Sequence, residues 1–372
     1  MNITSIEIER LRLPLSPPFH AAWDPAPREH FDATLVRVHT DEGLTGFGSG
    51  DTMTGFERFE HLFVGRDPLA LALHARTLET ISFHAGRYWP VEAALWDLCG
   101  KALYTPVAIL LGGARQRIPA YASLGELRPP EQRAEDAQAL IAAGFRAVKV
   151  RIARERIGEG VATVAAIRNA VGDRLQIMVD LNQWLRMAGD ILPGLDAQGA
   201  RRVIDALTEL GAVWVEEPLA GDDLTGMRML REQTGTRIAG GEMARTFDEL
   251  RRALEHDALD VLQPDVVLAL GISGARTVAD LALRRNRWFT PHTWTNGIGL
   301  LANLHTCCGV GGGPYLEYPY DPPGWTPERR DFMLTAPLAI DTAGWLTVPS
   351  APGLGIELDE QAVAHYARAA VA

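Results

Sequence analysis

Cysteine is scarce. Only Cys99, Cys307 and Cys308 occur in 372 residues. Their odd number, with no C-x-x-C spacing, argues against a disulfide framework or a zinc site. Cys99 lies in an apolar helical pattern, and Cys307–Cys308 reads as helix packing. A reducing, cytoplasmic setting is expected. Basic residues are also in deficit: 36 Lys and Arg against 47 Asp and Glu, a net charge of −11. The acids are spread along the chain, so neither nucleic acid nor an anionic membrane is an expected partner. An anionic substrate would need local Lys, Arg or metal. No stretch approaches the roughly 18 uninterrupted apolar residues of a membrane span. The opening MNITSIEIERLRLPL alternates like a strand, so no signal peptide is expected. No G-x-G-x-x-G follows a strand-like run, which argues against a doubly wound dinucleotide fold. No low-complexity tract or short repeat is visible.

The length suits a barrel of about 200–250 residues with a smaller companion. Residues 3–13 alternate as a strand. Residues 34–39 and 44–48 flank Thr40-Asp41-Glu42-Gly43, a hairpin turn. Helical patterns follow at about 55–63, 68–80 and 90–103, with Pro90 suited to a first helical turn. Strands then helices predict a small α+β unit over 1–117. From about 118 the texture changes. Eight β-rich runs (118–122, 147–150, 175–180, 212–217, 237–242, 261–265, 288–292, 314–318) alternate with helical patterns. This predicts a modified (β/α)8 TIM-type barrel over 118–322 with an altered final helix. The Pro- and Gly-rich segment 323–372 is expected to pack back on the N-terminal unit.

Polar residues cluster at one kind of position. Lys149, Asp180, Glu216, Glu242, Asp265, His292 and Glu317 sit at or near the C-terminal ends of seven consecutive strands. In a barrel those ends converge on the face that carries active sites. Such buried charges need a ligand, metal or partner. Asp180, Glu216 and Glu242 would repel one another unless a cation joined them, and hard oxygen donors suit Mg²⁺. Strand alternation should turn Glu217 away from Glu216. Asn182 could supply a polar contact beside Asp180. Asp265 could orient the His292 imidazole and raise its basicity. Lys149 and Arg151 share one strand face. Arg151 is a poor base but suits a carboxylate or enolate, and Lys149 could do either job. Glu317, if protonated, could hydrogen-bond a developing enolate.

These motifs resemble the enolase superfamily, specifically its mandelate racemase branch. The resemblance rests on ALWDLCGKALYTPVAILLGG, VKVRI, MVDLNQ, WVEEP, AGGE, LQPDVVLALGIS, TPHTWTNGIG, YLEY and PGLGIEL, in that order along the whole chain. It implies an N-terminal α+β cap, completed by the C-terminal segment, over a modified barrel. It implies Mg²⁺ on Asp180, Glu216 and Glu242, His292 as acid/base oriented by Asp265, and Glu317 as donor to an enolate. Lys149 matches the first Lys of the family's K-x-K, while Arg151 replaces the second. That departure disfavours a two-base racemase. It favours a sugar-acid dehydratase, or a cycloisomerase opening a sugar-acid lactone, working from His292 alone. Specificity loops are expected near Phe19–Trp23 and Asp51–Gly55. Phe19, His20, Trp23, Asn182 and Trp294 are the expected substrate contacts. The resemblance also implies a homo-oligomer.

Overall fold

The structure, a computed structural model, describes residues 1–50, 52–184 and 193–371. It opens with an antiparallel sheet of β1 (Ile3–Phe19), β2 (Arg28–Thr40) and β3 (Thr45–Ser49), in that order. The hairpin expected at residues 40–43 joins β2 to β3, with Gly43 left-handed at φ 77°. β1 runs beyond residue 13, through Pro14, Pro17 and Pro18 to Phe19. It lies at the sheet edge, where a missing amide donor is tolerated.

Helices α1 (Leu71–His84), α2 (Trp89–Ala102) and the short α3 (Val107–Leu110) follow. Residues 55–63 form only two single 3₁₀ turns, Phe56–Arg58 and Glu60–Leu62, instead of a helix. Left-handed Gly55 and Gly65 bracket a stretch too short to propagate one. α2 is buried from Trp89 to Gly100. A Cβ at Gly46 or Gly48 of β3 would lie 2.1 and 2.0 Å from the Ala94 and Pro90 carbonyl oxygens. Glycine there lets the helix seat directly on the sheet.

The barrel strands are β4 (Arg117–Ser123), β5 (Ala147–Arg151), β6 (Gln176–Asp180), β7 (Ala212–Glu216), β8 (Arg237–Gly240), β9 (Val261–Leu262), β10 (Trp288–Phe289) and β11 (Leu316–Pro319). All eight coincide with the runs expected from sequence. Between them lie α4 (Pro130–Ala142), α5 (Ile157–Val171), α6 (Ala197–Glu209), α7 (Leu224–Gln233), α8 (Phe247–Glu255), α9 (Gly271–Arg284) and α10 (Gly297–Val310). The ladder is parallel from β10 round to β4 and on to β11. The remaining seam is bridged by Gly313 N to Phe289 O at 2.8 Å and Thr290 Oγ1 to Tyr315 O at 2.7 Å. After β11 only the four-residue α11 (Pro327–Arg330) stands where a full helix would be.

β12 (Trp345–Thr347) pairs antiparallel with β4. The closing α12 (Glu360–Val371) packs on β1, where Arg37 of β2 holds Glu360 at 2.7 Å. The C-terminal segment thus completes the cap. One apolar core joins Leu11, Leu13, Ala93 and Trp96 of the cap to Val266, Ile272, Ala279 and Ile298 of the barrel. The stretch Val266–Arg284 is long and apolar enough to cross a membrane, but over half of it is buried here, as a core helix should be.

A candidate metal and acid–base site at the barrel mouth

Strand parity builds the site. Tyr121, Ala147, Met178, Trp214, Ala239 and Val261 form an apolar plug inside the barrel. Two residues further along each strand the same inward face carries Ser123, Lys149, Asp180, Glu216 and Gln263, all fully buried. Asp265 and His292 continue this parity a few residues beyond β9 and β10. Glu242 does not follow it. Gly241, left-handed at φ 97°, turns the chain after β8 and swings Glu242 to the others.

One oxygen from each of Asp180, Glu216 and Glu242 lies within 4.8 Å of the other two. Oxygens around one Mg²⁺ at about 2.1 Å sit roughly 3–4.2 Å apart, so a small side-chain adjustment closes the set. Glu242 Oε2 is buried without a hydrogen-bond partner, as expected of a group awaiting a ligand. The donor set fits a hard divalent cation.

Cations already balance part of this charge. Lys149 Nζ lies 2.7 Å from Glu216, 2.8 Å from Glu317 and 3.4 Å from Asp180. Burial pushes its pKa down, but Glu216, Glu317 and its other neighbours outweigh burial and hold it well above the ordinary lysine value. These carboxylates favour the ammonium form of Lys149. Arg151 Nη1 donates to Asp180 at 2.6 Å and to Asn182 Oδ1 at 2.7 Å. Its guanidinium lies 4.3 Å from the Trp23 ring centroid and 5.7 Å from that of Trp294, favourable cation–π geometry.

Burial, followed by the charge of Asp180, raises the Glu216 pKa. Its Oε2 accepts from Gln263 at 2.9 Å and Trp214 at 3.3 Å. Burial opposes the charge of Glu317, but Lys149 and His292 overcome that and lower its pKa. It accepts from Ser123 Oγ at 2.7 Å and Thr293 N at 2.8 Å. These contacts favour the ionised form of Glu317.

His292 Nδ1 lies 3.0 Å from Asp265 Oδ2. Asp265 Oδ1 accepts from Val267 N at 2.9 Å and Asn303 Nδ2 at 3.0 Å. The pair leaves His292 Nε2 facing the carboxylates, 3.5 Å from Glu242 and 4.0 Å from Glu317. Burial lowers the His292 pKa, but Glu242, Glu317 and Asp265 raise it further, to about 9.

The expected substrate contacts divide. Trp23, Asn182, Gln183 and Arg151 line a cavity of about 250 Å³ at the mouth. Trp294 lies between Trp23, 4.8 Å away by centroid, and Phe19, 5.7 Å away, and its Nε1 donates to Ser123 at 2.7 Å. Phe19 is wholly buried behind the two indoles, so it supports them instead of facing the cavity. The His20 side chain is exposed, and its backbone N donates to Glu126. In the second loop, Asp51 lies outside the described residues.

Sequence reasoning missed Ser123, Trp214, Gln263 and Asn303. Ser123 ends the one barrel strand for which no polar residue was singled out. Gln263 sits two residues before Asp265, on the same face. Asn303 interrupts an apolar helix, itself a signal. Glu217 is buried, and Glu242, Asp180 and Glu216 are its main charged neighbours. A left-handed φ of 48° at Glu217 breaks the strand alternation.

Residues 132–362 match the family described as enolase C-terminal domain-like, and residues 4–112 match the mandelate racemase/muconate lactonizing enzyme N-terminal domain. The chain is 29% identical to a 3,6-anhydro-alpha-L-galactonate cycloisomerase from Streptomyces coelicolor, over 88% of this chain and 90% of the relative. It is 28% identical to a D-galactonate dehydratase from Variovorax paradoxus, over 92% of each. A solved structure of a racemase from Streptomyces coelicolor with bound magnesium superposes with a TM-score of 0.83 at 27% identity, covering 98% of this chain and 99% of that one. Two matching domains, the barrel with its cap, and relatives that are all enzymes give one conclusion: the chain is an enzyme of the mandelate racemase/muconate lactonizing enzyme branch of the enolase superfamily.

Proposed function

We propose that the enzyme is a Mg²⁺-dependent sugar-acid dehydratase of the cytoplasm, which removes the proton α to a carboxylate and eliminates the β-hydroxyl as water. The observation that carries this reading is a single available base. His292 Nε2 faces the carboxylate cluster, while Lys149 is held by three carboxylates and Arg151 by Asp180. Arginine stays protonated at ordinary pH. Asp180, Glu216 and Glu242 would hold the cation, which supplies charge stabilisation on the substrate carboxylate.

His292 takes the α-proton at Nε2, with Asp265 stabilising the imidazolium that forms. Neutralising Glu242 removes the largest of the charges that keep His292 protonated, so metal loading favours the neutral base. Lys149 and Arg151 offer positive charge where negative charge develops on the enolate. The same imidazolium returns its proton to the departing β-hydroxyl, and the enol product tautomerises to a 2-keto-3-deoxy acid. Trp23, Trp294 and Asn182 are the proposed contacts for the hydroxylated tail.

A second reading, β-elimination that opens a ring, is favoured by the full-length likeness to cycloisomerases. One is the Streptomyces enzyme; another is a D-galactarolactone cycloisomerase from Agrobacterium fabrum, 27% identical over 98% of this chain. The test is a screen of open-chain acid sugars and their lactone or anhydro forms with Mg²⁺. 2-Keto-3-deoxy acid from open-chain acids is expected. Turnover of ring substrates alone selects the second reading, and full turnover by H292N sinks both.

A further inference from the structure

Gln263 follows β9 and stands between the two halves of the site. Its backbone N donates to Gly240 O at 3.0 Å, just before the turn that places Glu242, and its backbone O accepts from His292 N at 3.3 Å. Its side chain is fully buried, and Nε2 donates to Glu216 Oε2 at 2.9 Å. The other end of the amide, Oε1, is buried with no hydrogen-bond partner among the described residues. A buried acceptor left unpaired is costly, and an apolar side chain of the same length would avoid that cost. The NH₂ group is therefore the useful end of this residue, and Glu216 is what it touches. Glu216 is pinned at both oxygens. Lys149 Nζ lies 2.7 Å from Oε1, while Trp214 Nε1, from the plug inside the barrel, shares Oε2 with Gln263 at 3.3 Å. Gln263 is the closer restraint on Oε2. Both donors to that oxygen are neutral. A second ammonium in the place of Gln263 would also fix the carboxylate, but it would cancel charge that attracts a divalent cation.

We propose that Gln263 is a positioning residue of the cation site: its NH₂ group fixes the rotation of the Glu216 carboxylate so that Glu216 meets the cation together with Asp180 and Glu242. This rests on the divalent-cation reading above. Gln263 raises cation affinity without adding charge and without binding the metal itself.

The test is Mn²⁺ binding to wild type and Q263M, read by electron paramagnetic resonance, which needs no substrate. Methionine keeps the length of the side chain and removes the donor. Q263M is expected to weaken Mn²⁺ by about 10- to 100-fold. It is also expected to change the zero-field splitting of the bound ion, which reports the arrangement of its ligands and which a loss of packing elsewhere would not move. Weakening by less than about fivefold overturns the proposal, since outer residues of metal sites act above that level. A bound-ion spectrum identical to that of wild type overturns it too. If Q263M does not fold, Q263N is the comparison: it keeps the amide but withdraws it by one methylene, and the same loss is expected. Failure of wild type to bind Mn²⁺ defeats the functional reading itself. Wild-type binding matched by the variant defeats only the role of Gln263.

Discussion

The Asp265–His292 pair gives the most exacting prediction. Asp265 Oδ1 accepts from Val267 N and Asn303 Nδ2, and Oδ2 faces His292 Nδ1. In D265N the amide oxygen must stay toward the two donors, so the NH₂ turns to His292. Nδ1 must then accept, the ring proton moves to Nε2, and the nitrogen facing the site can no longer take a proton. The perturbation therefore deletes the base without moving the ring. General acid–base catalysis contributes about 10²–10⁴ in rate, or roughly 3–5.5 kcal/mol of barrier. D265N should lose that much of kcat with little change in KM. Its tautomer is observable by ¹⁵N–¹H NMR without substrate. The same experiment reads the His292 pKa, raised to about 9 with Asp265 among the causes. It should fall by about one unit, equivalent to about 1.4 kcal/mol. A D265N protein whose His292 keeps its proton on Nδ1, or whose turnover falls less than about tenfold, refutes this account of the pair.

Three further outcomes are expected. Mg²⁺ at 100 times its Kd should stabilise wild type by about 2.7 kcal/mol, and E242Q should lose most of that gain in thermal melts; an equal gain in both removes Glu242 from the site. R151K puts a titratable amine beside Asp180, so exchange of the α-proton of the configuration not taken by His292 should appear in D₂O, and its absence refutes a proton-transfer role for that position. Glu92, on α2, accepts from Ser273 N of α9 at 3.2 Å, and burial raises its pKa to about 7 from 4.5. Because the folded state binds this proton more tightly, stability falls as pH rises from about 4.5 to 7, by on the order of 3 kcal/mol, and is flat above. E92Q should remove that slope in urea denaturation at pH 5 and pH 8; equal slopes in the two proteins refute the assignment.

Much of the fold was legible because short buried strands and amphipathic helices carry their periods in the chain itself. All eight barrel strands lie where apolar runs put them, and the polar residue at or near the end of seven of them marks the mouth. The cap was harder to read. Its edge strand passes through prolines that locally argue against a strand. The stretch 55–63 carries a helical pattern, but its flanking glycines end it.

The sequence alone determined that three carboxylates, two cations and an Asp–His pair would meet at one end of a barrel, because strand parity and order are one-dimensional properties. Only the tertiary structure decided what each does there. The ammonium form of Lys149 is favoured because Glu216 and Glu317 come to it from strands far along the chain. The ionised form of Glu317 is favoured because Lys149 and His292 face it, and Phe19 is a support because the two indoles cover it. Glu242 reaches the cluster after the left-handed Gly241, a turn that no alternation rule describes. Charge state and direction depend on neighbours brought together across space, and those are set only when the barrel closes.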